Sequence, residues 1–238
     1  MKDNMSADND FNFTSPESEV KINVLMISPK YDSSTLITSR WMHDLYILLR
    51  DHPKIGIVGL FNWDSSVSKI MEVLKRNRFD LILYFGHGWK SGWLLNPLAP
   101  FRMKKLARAF KGTIIYTLAC RSLENFGILT VENGARAYLG YDEDVYTTSN
   151  RLERNYLDDF QRIIFNEIMG LLGGNSVQEV FVEALREWEE LLREYNRINL
   201  PSAAANFHYA YINQRAHGFV GDPDARLSGV EVDYFDEA

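Results

Sequence analysis

The chain has 238 residues, of which 46% are hydrophobic, enough for one large buried core or two small ones. Its formal net charge of −6 is the opposite of the basic surface by which proteins bind nucleic acid or anionic membranes. Its single cysteine excludes an intramolecular disulfide, so folding requires no oxidising compartment.

The N-terminal segment, MKDNMSADNDFNFTSPESEV, is polar and acidic and lacks the basic and apolar blocks of a signal peptide. No apolar run in the sequence approaches the roughly 20 residues that a membrane span requires. We therefore expect a cytoplasmic protein with no membrane or nucleic-acid partner. Residues 1–18 are predicted to be a flexible tail, and residues 19–238 a single domain.

Apolar runs rich in Ile, Val, Leu and Tyr alternate with amphipathic segments along the first half of the chain. Runs of this kind favour parallel strands that are covered on both faces. The predicted strands are 20–28, 55–61, 80–85 and 113–119, and the predicted helices between them are 35–50, 65–78 and 101–110. In the first helix we expect Leu36, Trp41, Leu45, Leu48 and Leu49 to face the core.

The second half of the chain continues with further strands and two long helices. Residues 135–145 are predicted to form a fifth strand, and residues 217–227 a last short strand with a turn at Gly221. Helices are predicted at 150–172 and at 176–198, the latter beginning with a capping box formed by Ser176 and Glu179. The fold class is therefore α/β, a three-layer arrangement with a mostly parallel sheet of about six strands flanked by helices.

Two of the predicted strands end on residues with catalytic chemistry. The stretch LILYFGHG ends the third strand on His87 between two glycines, and TIIYTLAC ends the fourth on Cys120. Parallel strands place their carboxyl ends at one edge of the sheet, where α/β proteins bind their ligands. If these two strands are adjacent, the imidazole and the thiol meet in one cleft.

A thiolate is a nucleophile, and a neighbouring imidazole can assist its deprotonation or protonate a leaving amine. The backbone N–H groups of Gly88 and Cys120 can serve as an oxyanion hole. The competing interpretation is a buried, inert cysteine beside a histidine that bonds to a turn carbonyl, because free cysteine is among the most buried residue types.

Metal and phosphate chemistry have no support in the sequence. One cysteine with scattered histidines provides no recognised zinc-ligand spacing. The segment GHGWKSG lacks the glycine spacing of a dinucleotide or phosphate loop. We expect no cofactor and no metal.

The order of the motifs resembles the caspase-like superfamily of cysteine peptidases, which includes caspases, metacaspases, separase, legumain, gingipains and CHAT domains. The matching residues are LILYFGHG and IIYTLAC, and the segments GARAYLGYDEDV and HGFVGDP are similar to the CHAT and gingipain branch in particular. The resemblance covers about residues 20 to 227. It implies that Cys120 attacks the scissile carbonyl, that His87 protonates the departing amine, and that Gly88 and Cys120 supply the oxyanion N–H groups.

The resemblance also bears on the substrate. Members that cleave after a basic residue place carboxylates near the end of the first strand and near the nucleophile. The corresponding candidates here are Asp32 and the cluster Asp142, Glu143 and Asp144. Their ordinary interpretation is a solvated, charged loop. Leu118 stands two residues before the nucleophile, where caspases often have a polar residue, and no Gln or Arg constellation indicates a caspase-like preference for Asp.

Three functions remain open on these observations. The first is a cysteine endopeptidase that cleaves protein substrates after Arg or Lys. The family includes regulated effectors in microbial defence and cell death, and we expect regulation here by a partner protein or by loop ordering. The second is a catalytically inactive relative that serves as a binding or scaffold module. The third is a small-molecule α/β protein in which Cys120 is structural.

Overall fold

The protein is represented by a computed structural model that describes residues 22–96, 104–147, 154–198 and 200–231. The predicted tail at residues 1–18 lies outside the described residues, as do residues 20, 21, 101–103 and 150–153 of the predicted strands and helices. The predicted single domain of residues 19–238 stays a prediction.

A six-stranded sheet lies at the centre of the molecule, and a two-stranded hairpin stands beside its third strand. The strands are β1 (Ile22–Ser28), β2 (Ile55–Phe61), β3 (Leu81–Phe85), the hairpin strands β4 (Gly88–Trp89) and β5 (Gly92–Trp93), then β6 (Ile114–Leu118), β7 (Ala137–Tyr141) and β8 (His217–Gly221). The order in the sheet is β2-β1-β3-β6-β7-β8. Every neighbouring pair is parallel except β7 and β8, which are antiparallel. The predicted mostly parallel sheet of about six strands is confirmed.

Helices connect these strands and cover the sheet. They are α1 (Ser33–Leu49), α2 (Val67–Arg76), α3 (Lys104–Ala109), α4 (Ile128–Glu132), α5 (Arg154–Leu172), α6 (Val177–Arg197) and α7 (Pro201–Ala216). A single 3-10 turn (Asn62–Asp64) follows β2, and a turn of π-helix (Leu123–Gly127) precedes α4. The capping box predicted at the start of α6 is confirmed: the Ser176 N–H donates to Glu179 Oε2 at 2.8 Å, and the Glu179 N–H donates to Ser176 Oγ at 3.2 Å.

The core lies on both faces of the sheet, because successive residues of each strand point in opposite directions. On one face, Leu83 and Tyr116 of the sheet pack with residues of α1, α5 and α6, which include Trp41 and Trp188. On the other, Ile82 and Ile115 pack with α2, α3 and the π-turn. β3, β6 and β7 are buried along their whole length, as expected of strands covered on both sides.

The fifth and last predicted strands end earlier than expected, at Tyr141 and Gly221, and the buried face of α1 also differs from the expectation. In α1, Leu36 is 40% exposed and Leu48 is 41% exposed, although both were predicted to face the core. The buried positions of this helix include Thr38 and Met42 instead, because the face that packs on the sheet is set by the positions of Trp41, Leu45 and Leu49.

Helix α7 was not predicted at all. Its buried side is made of small or polar residues at helical spacing, Ala203, Asn206, Ala210 and Asn213, while a large residue, Tyr211, is 43% exposed. A segment of this composition carries no apolar stripe for pattern analysis to detect. No helix in the described part of the chain is long and apolar enough to cross a membrane.

Candidate active site

His87 and Cys120 leave the sheet side by side. β3 and β6 are adjacent and parallel, with Phe85 opposite Leu118 in the register. The backbone pairing continues one step beyond the strands, because the Gly86 N–H donates to the Leu118 carbonyl at 3.1 Å. His87 follows Phe85 by two residues and Cys120 follows Leu118 by two, so the two residues occupy equivalent positions at the carboxyl edge.

The glycines that flank His87 are required by close packing. A Cβ atom at residue 88 would overlap the carbonyl oxygen of Cys120 and would lie 2.9 Å from the Cβ of Ala119. A Cβ at residue 86 would lie 2.8 Å from the Tyr84 hydroxyl and 3.0 Å from Pro29 Cγ. The backbone at Gly88 therefore rests directly on the backbone of Cys120, and the histidine loop and the cysteine loop form one unit.

The His87 imidazole is paired with the carboxylate of Asp32. Nε2 of His87 lies 2.8 Å from Oδ2 of Asp32. The other oxygen, Oδ1, accepts hydrogen bonds from the backbone N–H and the hydroxyl of Thr35, each at 2.8 Å, and so caps the N-terminus of α1. Asp32, predicted as a substrate-binding residue, is thus positioned by helix capping and engages the histidine.

The charge of Asp32 determines which nitrogen of His87 carries a proton. Burial opposes ionisation of Asp32, but the hydrogen bonds from Thr35 and His87 outweigh it, so that the pKa of this carboxyl is lowered. An ionised carboxylate only accepts hydrogen bonds, so Nε2 of His87 must be the protonated nitrogen. Nδ1 is then the ring nitrogen that is available to accept a proton.

The Gly88 amide is oriented away from the hairpin. Gly88 lies opposite Trp93, and the Leu94 N–H donates to the His87 carbonyl at 2.9 Å. Hydrogen-bonded and non-hydrogen-bonded pairs alternate along an antiparallel ladder, so the Gly88–Trp93 pair is of the non-bonded kind and its N–H points outward. The His87 carbonyl also accepts a 2.7 Å bond from the Tyr84 hydroxyl, which fixes this loop.

The thiol of Cys120 is bracketed by the backbone of one residue. The Val145 N–H donates a hydrogen bond to Sγ at 3.4 Å. The thiol in turn donates a hydrogen bond to the Val145 carbonyl, with Sγ 3.8 Å from the oxygen. Burial raises the pKa of the Cys120 thiol, and the charge of Asp144 adds to this. The Val145 N–H and the Arg121 guanidinium act in the opposite direction without reversing it.

The three carboxylates predicted to bind substrate follow β7 and pass close to the nucleophile. The Asp144 Oδ1 atom lies 3.2 Å from Nε of Arg121, and the carbonyl of Glu143 accepts a 2.9 Å bond from the Arg121 N–H. The side chains of Asp142 and Glu143 are exposed. Burial, followed by the charges of Glu143 and Glu124, raises the pKa of Asp142, which indicates a negative potential beside the cysteine loop.

The hairpin forms the opposite wall of the site. Lys90 Nζ lies 2.8 Å from Glu124 Oε2, which ties the hairpin to the π-turn that follows Cys120. Trp93 is fully buried and stacks on Tyr84 with ring centroids 4.4 Å apart, whereas Trp89 is 53% exposed. The hairpin is therefore held in the core by Trp93, and Trp89 is exposed to solvent.

Several residues of the site were not predicted: Tyr84, Arg121, Val145 and Asn213. Tyr84 lies within an apolar run, a pattern that predicts a core residue. Val145 contributes only its backbone, which the residue type does not indicate. The backbone of Arg121 is left-handed, with φ of 53° immediately after the nucleophile, a conformation that non-glycine residues rarely adopt and that no sequence pattern marks. Asn213 lies on the unpredicted helix α7.

Of the other histidines, His217 is buried in the core, where its Nε2 lies 3.1 Å from Oε1 of Glu167. Among the described residues, no group of three or more His, Cys, Asp or Glu side chains is arranged to hold a metal ion.

No family model and no curated protein matches this sequence. Among the solved structures that are similar to it are the following two. One is the Saccharomyces cerevisiae separase–securin complex, with a TM-score of 0.51 and 17% identity over 87% of this chain and 12% of that chain. The other, described as a protease, has a TM-score of 0.52 and 15% identity over 89% of this chain and 49% of that chain.

The fold is caspase-like. The likeness rests on the mostly parallel six-stranded sheet flanked by helices, and at identities this low it concerns architecture alone. The chain spans about an eighth of the length of the first matching chain and about half of the second.

Proposed function

We propose that the protein is a cysteine endopeptidase with Cys120 as nucleophile and His87 as acid–base. The single observation that carries this proposal is the contact of Gly88 with the backbone of Cys120, which joins the Asp32–His87 pair to the thiol at the functional edge of the sheet. The segments similar to CHAT and gingipain proteins correspond to β7 and to the turn after β8. They support the proposal that the chain is related to the CHAT and gingipain branch.

In the proposed reaction the Cys120 thiol gives its proton to His87 Nδ1, and the sulfur attacks the scissile carbonyl carbon. A C–S bond forms and the carbonyl electrons move to oxygen. When the tetrahedral intermediate collapses, the C–N bond breaks and the imidazolium protonates the departing amine. Water then hydrolyses the thioester, which releases the carboxylic acid and regenerates the thiol.

The outward N–H of Gly88 and the N–H of Cys120 are proposed to stabilise the negative oxygen of the intermediate. Asp32 contributes indirectly, because its carboxylate accepts a hydrogen bond from Nε2–H of His87 and so leaves Nδ1 available for the thiol proton. Its negative charge also stabilises the imidazolium when it forms. This assigns Asp32 to orientation of the histidine in addition to, or in place of, the substrate contact predicted from the sequence.

The proposed substrate is a protein cleaved after Arg or Lys. Asp142 and Glu143 support this specificity, because both are exposed on the segment that passes the cysteine loop. Burial raises the pKa of Asp142, and the charges of Glu143 and Glu124 add to this effect. Asp144 is already paired with Arg121, so its carboxylate is less available. The acidic composition and single cysteine support a cytoplasmic location, where a partner protein would regulate the activity.

One observation favours the second candidate, an inactive binding module. The thiol is held by Val145 on both sides and its pKa is raised, which is the reverse of the activated thiolate found in many cysteine enzymes. A protein of this kind would bind basic peptides at Asp142 and Glu143 without cleaving them. A small-molecule α/β protein with a structural cysteine stays the third alternative.

The test is cleavage of a fluorogenic peptide library by the purified protein beside Cys120→Ala and His87→Ala. We expect cleavage after Arg or Lys, no cleavage after Asp, and loss of all activity in both variants. A lysyl or arginyl chloromethyl ketone is expected to label Cys120. Labelling that is indifferent to the peptide portion, with peptide binding but no cleavage, would support the inactive module instead.

The specificity has its own test. Asp142→Asn combined with Glu143→Gln is expected to raise KM for Arg and Lys peptides by about tenfold or more, because two carboxylates that attract the basic side chain are lost. Asp224→Asn is the matched control, since Asp224 is an exposed carboxylate on the loop after β8. An unchanged KM in the double variant would exclude these residues from the specificity pocket.

A further inference from the structure

A short segment crosses the nucleophile and is fixed at both ends; we call residues 143–146 the strap. At its start, the Glu143 carbonyl accepts the Arg121 N–H at 2.9 Å, and Asp144 pairs with the Arg121 side chain at 3.2 Å. In its middle, the backbone of Val145 contacts Sγ of Cys120 with both its N–H and its carbonyl. The strap therefore covers the sulfur on the side of β7.

The other end of the strap is held by one side chain, that of Asn213. The Tyr146 N–H donates to Asn213 Oδ1 at 2.8 Å, and Asn213 Nδ2 donates to the Tyr146 carbonyl at 2.8 Å. Asn213 is only 1% exposed. The ring of Tyr146 also stacks on Tyr209, with centroids 5.0 Å apart and an interplanar angle of 16°.

The pairing with Asn213 has the form of a backbone ladder. A carboxamide offers a donor and an acceptor in one plane, so it can satisfy both polar groups of a single residue as a neighbouring strand would. Because Asn213 is buried, breaking this pair leaves polar groups unsatisfied away from water, which costs more than an exposed hydrogen bond does. The contact at Asp144, by comparison, is half exposed to solvent, with 57% of the Asp144 side chain accessible.

We propose that Asn213 is a positioning residue that holds the strap across Cys120, so that the strap must shift before the sulfur can attack a substrate. This inference rests on the proposed function of Cys120 as nucleophile. The occupant that displaces the strap is the peptide substrate itself, because its scissile carbonyl must reach the sulfur that Val145 now contacts.

The charged and titratable groups around the thiol come from each neighbouring element. Arg121 lies on the cysteine loop, Asp144 on the strap and Tyr84 on β3, and the His87–Asp32 pair lies beyond Gly88. Displacement of the strap removes two effects that disfavour the thiolate, the burial of Sγ and the negative charge of Asp144. It also removes one effect that favours the thiolate, the hydrogen bond from the Val145 N–H. Because burial is the largest of these effects, release of the strap makes the thiol more acidic.

The experiment is the pH profile of alkylation by iodoacetamide, which is small and neutral and reports on the only cysteine in the chain. In Asn213→Ala we expect the rate at pH 7 to rise about tenfold and the midpoint of the profile to move to lower pH. Asn206→Ala is the matched control, because Asn206 is also buried on α7 and lies about two turns away from Asn213. A rate and midpoint equal to those of the control would overturn the proposal.

A second pair of variants decides the matter if Asn213→Ala does not fold. Asp144→Asn breaks the exposed end of the strap, and Asp142→Asn removes a nearby charge without touching Arg121. We expect alkylation of Asp144→Asn to be two- to fivefold faster than that of Asp142→Asn. Because the charge of Asp144 itself raises the pKa of the thiol, the two rates are compared at high salt, where this direct effect is screened. Equal rates there would refute the holding role.

Peptide cleavage measured on the same preparations separates this inference from the proposed function. If alkylation responds as expected but no peptide is cleaved, the strap assignment stands and the peptidase proposal fails. If peptides are cleaved but neither Asn213→Ala nor Asp144→Asn changes the rate of alkylation, the peptidase proposal stands and Asn213 has no positioning role.

Discussion

The imidazole of His87 and the N-cap of α1 share one carboxylate, that of Asp32, whose Oδ2 lies 2.8 Å from Nε2 of the histidine. Asparagine caps helices as well as aspartate does, so Asp32→Asn separates the two roles. We expect the free energy of unfolding to change by less than about 1 kcal/mol. An amide N–H facing Nε2 favours the opposite tautomer, so kcat is expected to fall by about 10²- to 10⁴-fold.

The measurement is kcat for an Arg peptide together with chemical denaturation of the same sample. Asp32→Ala is the companion variant: it loses the cap as well, so it is expected to lose about 1 kcal/mol of stability in addition to activity. Full activity in Asp32→Asn would mean that the carboxylate serves only the helix.

Gly88 is predicted to tolerate no side chain. In Gly88→Ala the new Cβ overlaps the carbonyl oxygen of Cys120, so the histidine loop must move away from the nucleophile. We expect at least a hundredfold loss of kcat/KM, because misplacement of a catalytic group by about 1 Å has this effect.

Gly112→Ala is the control for stability alone. Gly112 has φ of +82° but nothing within 4 Å of a new Cβ, so the variant carries backbone strain of about 1 kcal/mol and no steric overlap. We expect its thermal melting temperature to fall while the activity of the folded protein is retained. Equal activity losses in the two variants would contradict the special role of the Gly88 contact.

A buried pair on the α5 side of the sheet gives the stability a defined pH dependence. His217 Nε2 lies 3.1 Å from Glu167 Oε1, and the Tyr116 hydroxyl donates to Glu167 Oε2 at 2.7 Å. Burial lowers the pKa of His217 to about 4, and burial raises that of Glu167 well above its usual range. Both side chains are therefore neutral in the folded protein near pH 6.

In the unfolded chain His217 binds a proton below about pH 6.5, whereas in the folded protein it binds one only below about pH 4. The contribution of His217 to stability therefore decreases as the pH falls from 6.5 to 4. Glu167 acts with the opposite sign, since the folded state holds its proton above the unfolded pKa. The difference in unfolding free energy between the wild type and His217→Gln isolates the histidine. We expect the wild type to lose about 2 kcal/mol relative to the variant between pH 7 and pH 5. A difference that is constant with pH would show that burial does not shift the pKa of His217.

The capping box of α6 is predicted to contribute to stability and not to catalysis. Ser176→Ala removes the acceptor for the Glu179 N–H at the start of this helix, which costs about 1 kcal/mol. Urea denaturation measures this loss, and Ser176→Thr, which keeps a hydroxyl, is expected to recover part of it. Loss of activity per folded molecule in Ser176→Ala would link the start of α6 to the site.

The sheet could be predicted from the sequence because its strands are continuous apolar runs. The predicted bounds of β2 coincide with the observed ones, those of β3 differ by one residue at the start, and those of β6 differ by one residue at each end. The adjacent positions of His87 and Cys120 at the carboxyl ends of β3 and β6 followed from the same pattern, since both are fixed by where a buried strand ends. Information of this kind is local, and a single sequence carries it.

The contacts that complete the site are not local. The pairing of Asp32 with His87 spans 55 residues, and that of Tyr146 with Asn213 spans 67. Neither follows from composition or periodicity, because a carboxylate after a strand and an asparagine in a helix each have many ordinary roles. Helix α7 was missed for a related reason: its buried face is built of alanine and asparagine, which carry little hydrophobic signal.

The distance along the chain between the nucleophile and Asn213 has a consequence for synthesis of the protein. The ribosome produces the cysteine and the histidine early, but the side chain that holds the covering segment is made more than ninety residues after the cysteine. The antiparallel partner of β7 is made later still. A nascent chain therefore carries the Cys120 sulfur through much of translation without the strap held over it, and the finished arrangement can form only once α7 has emerged.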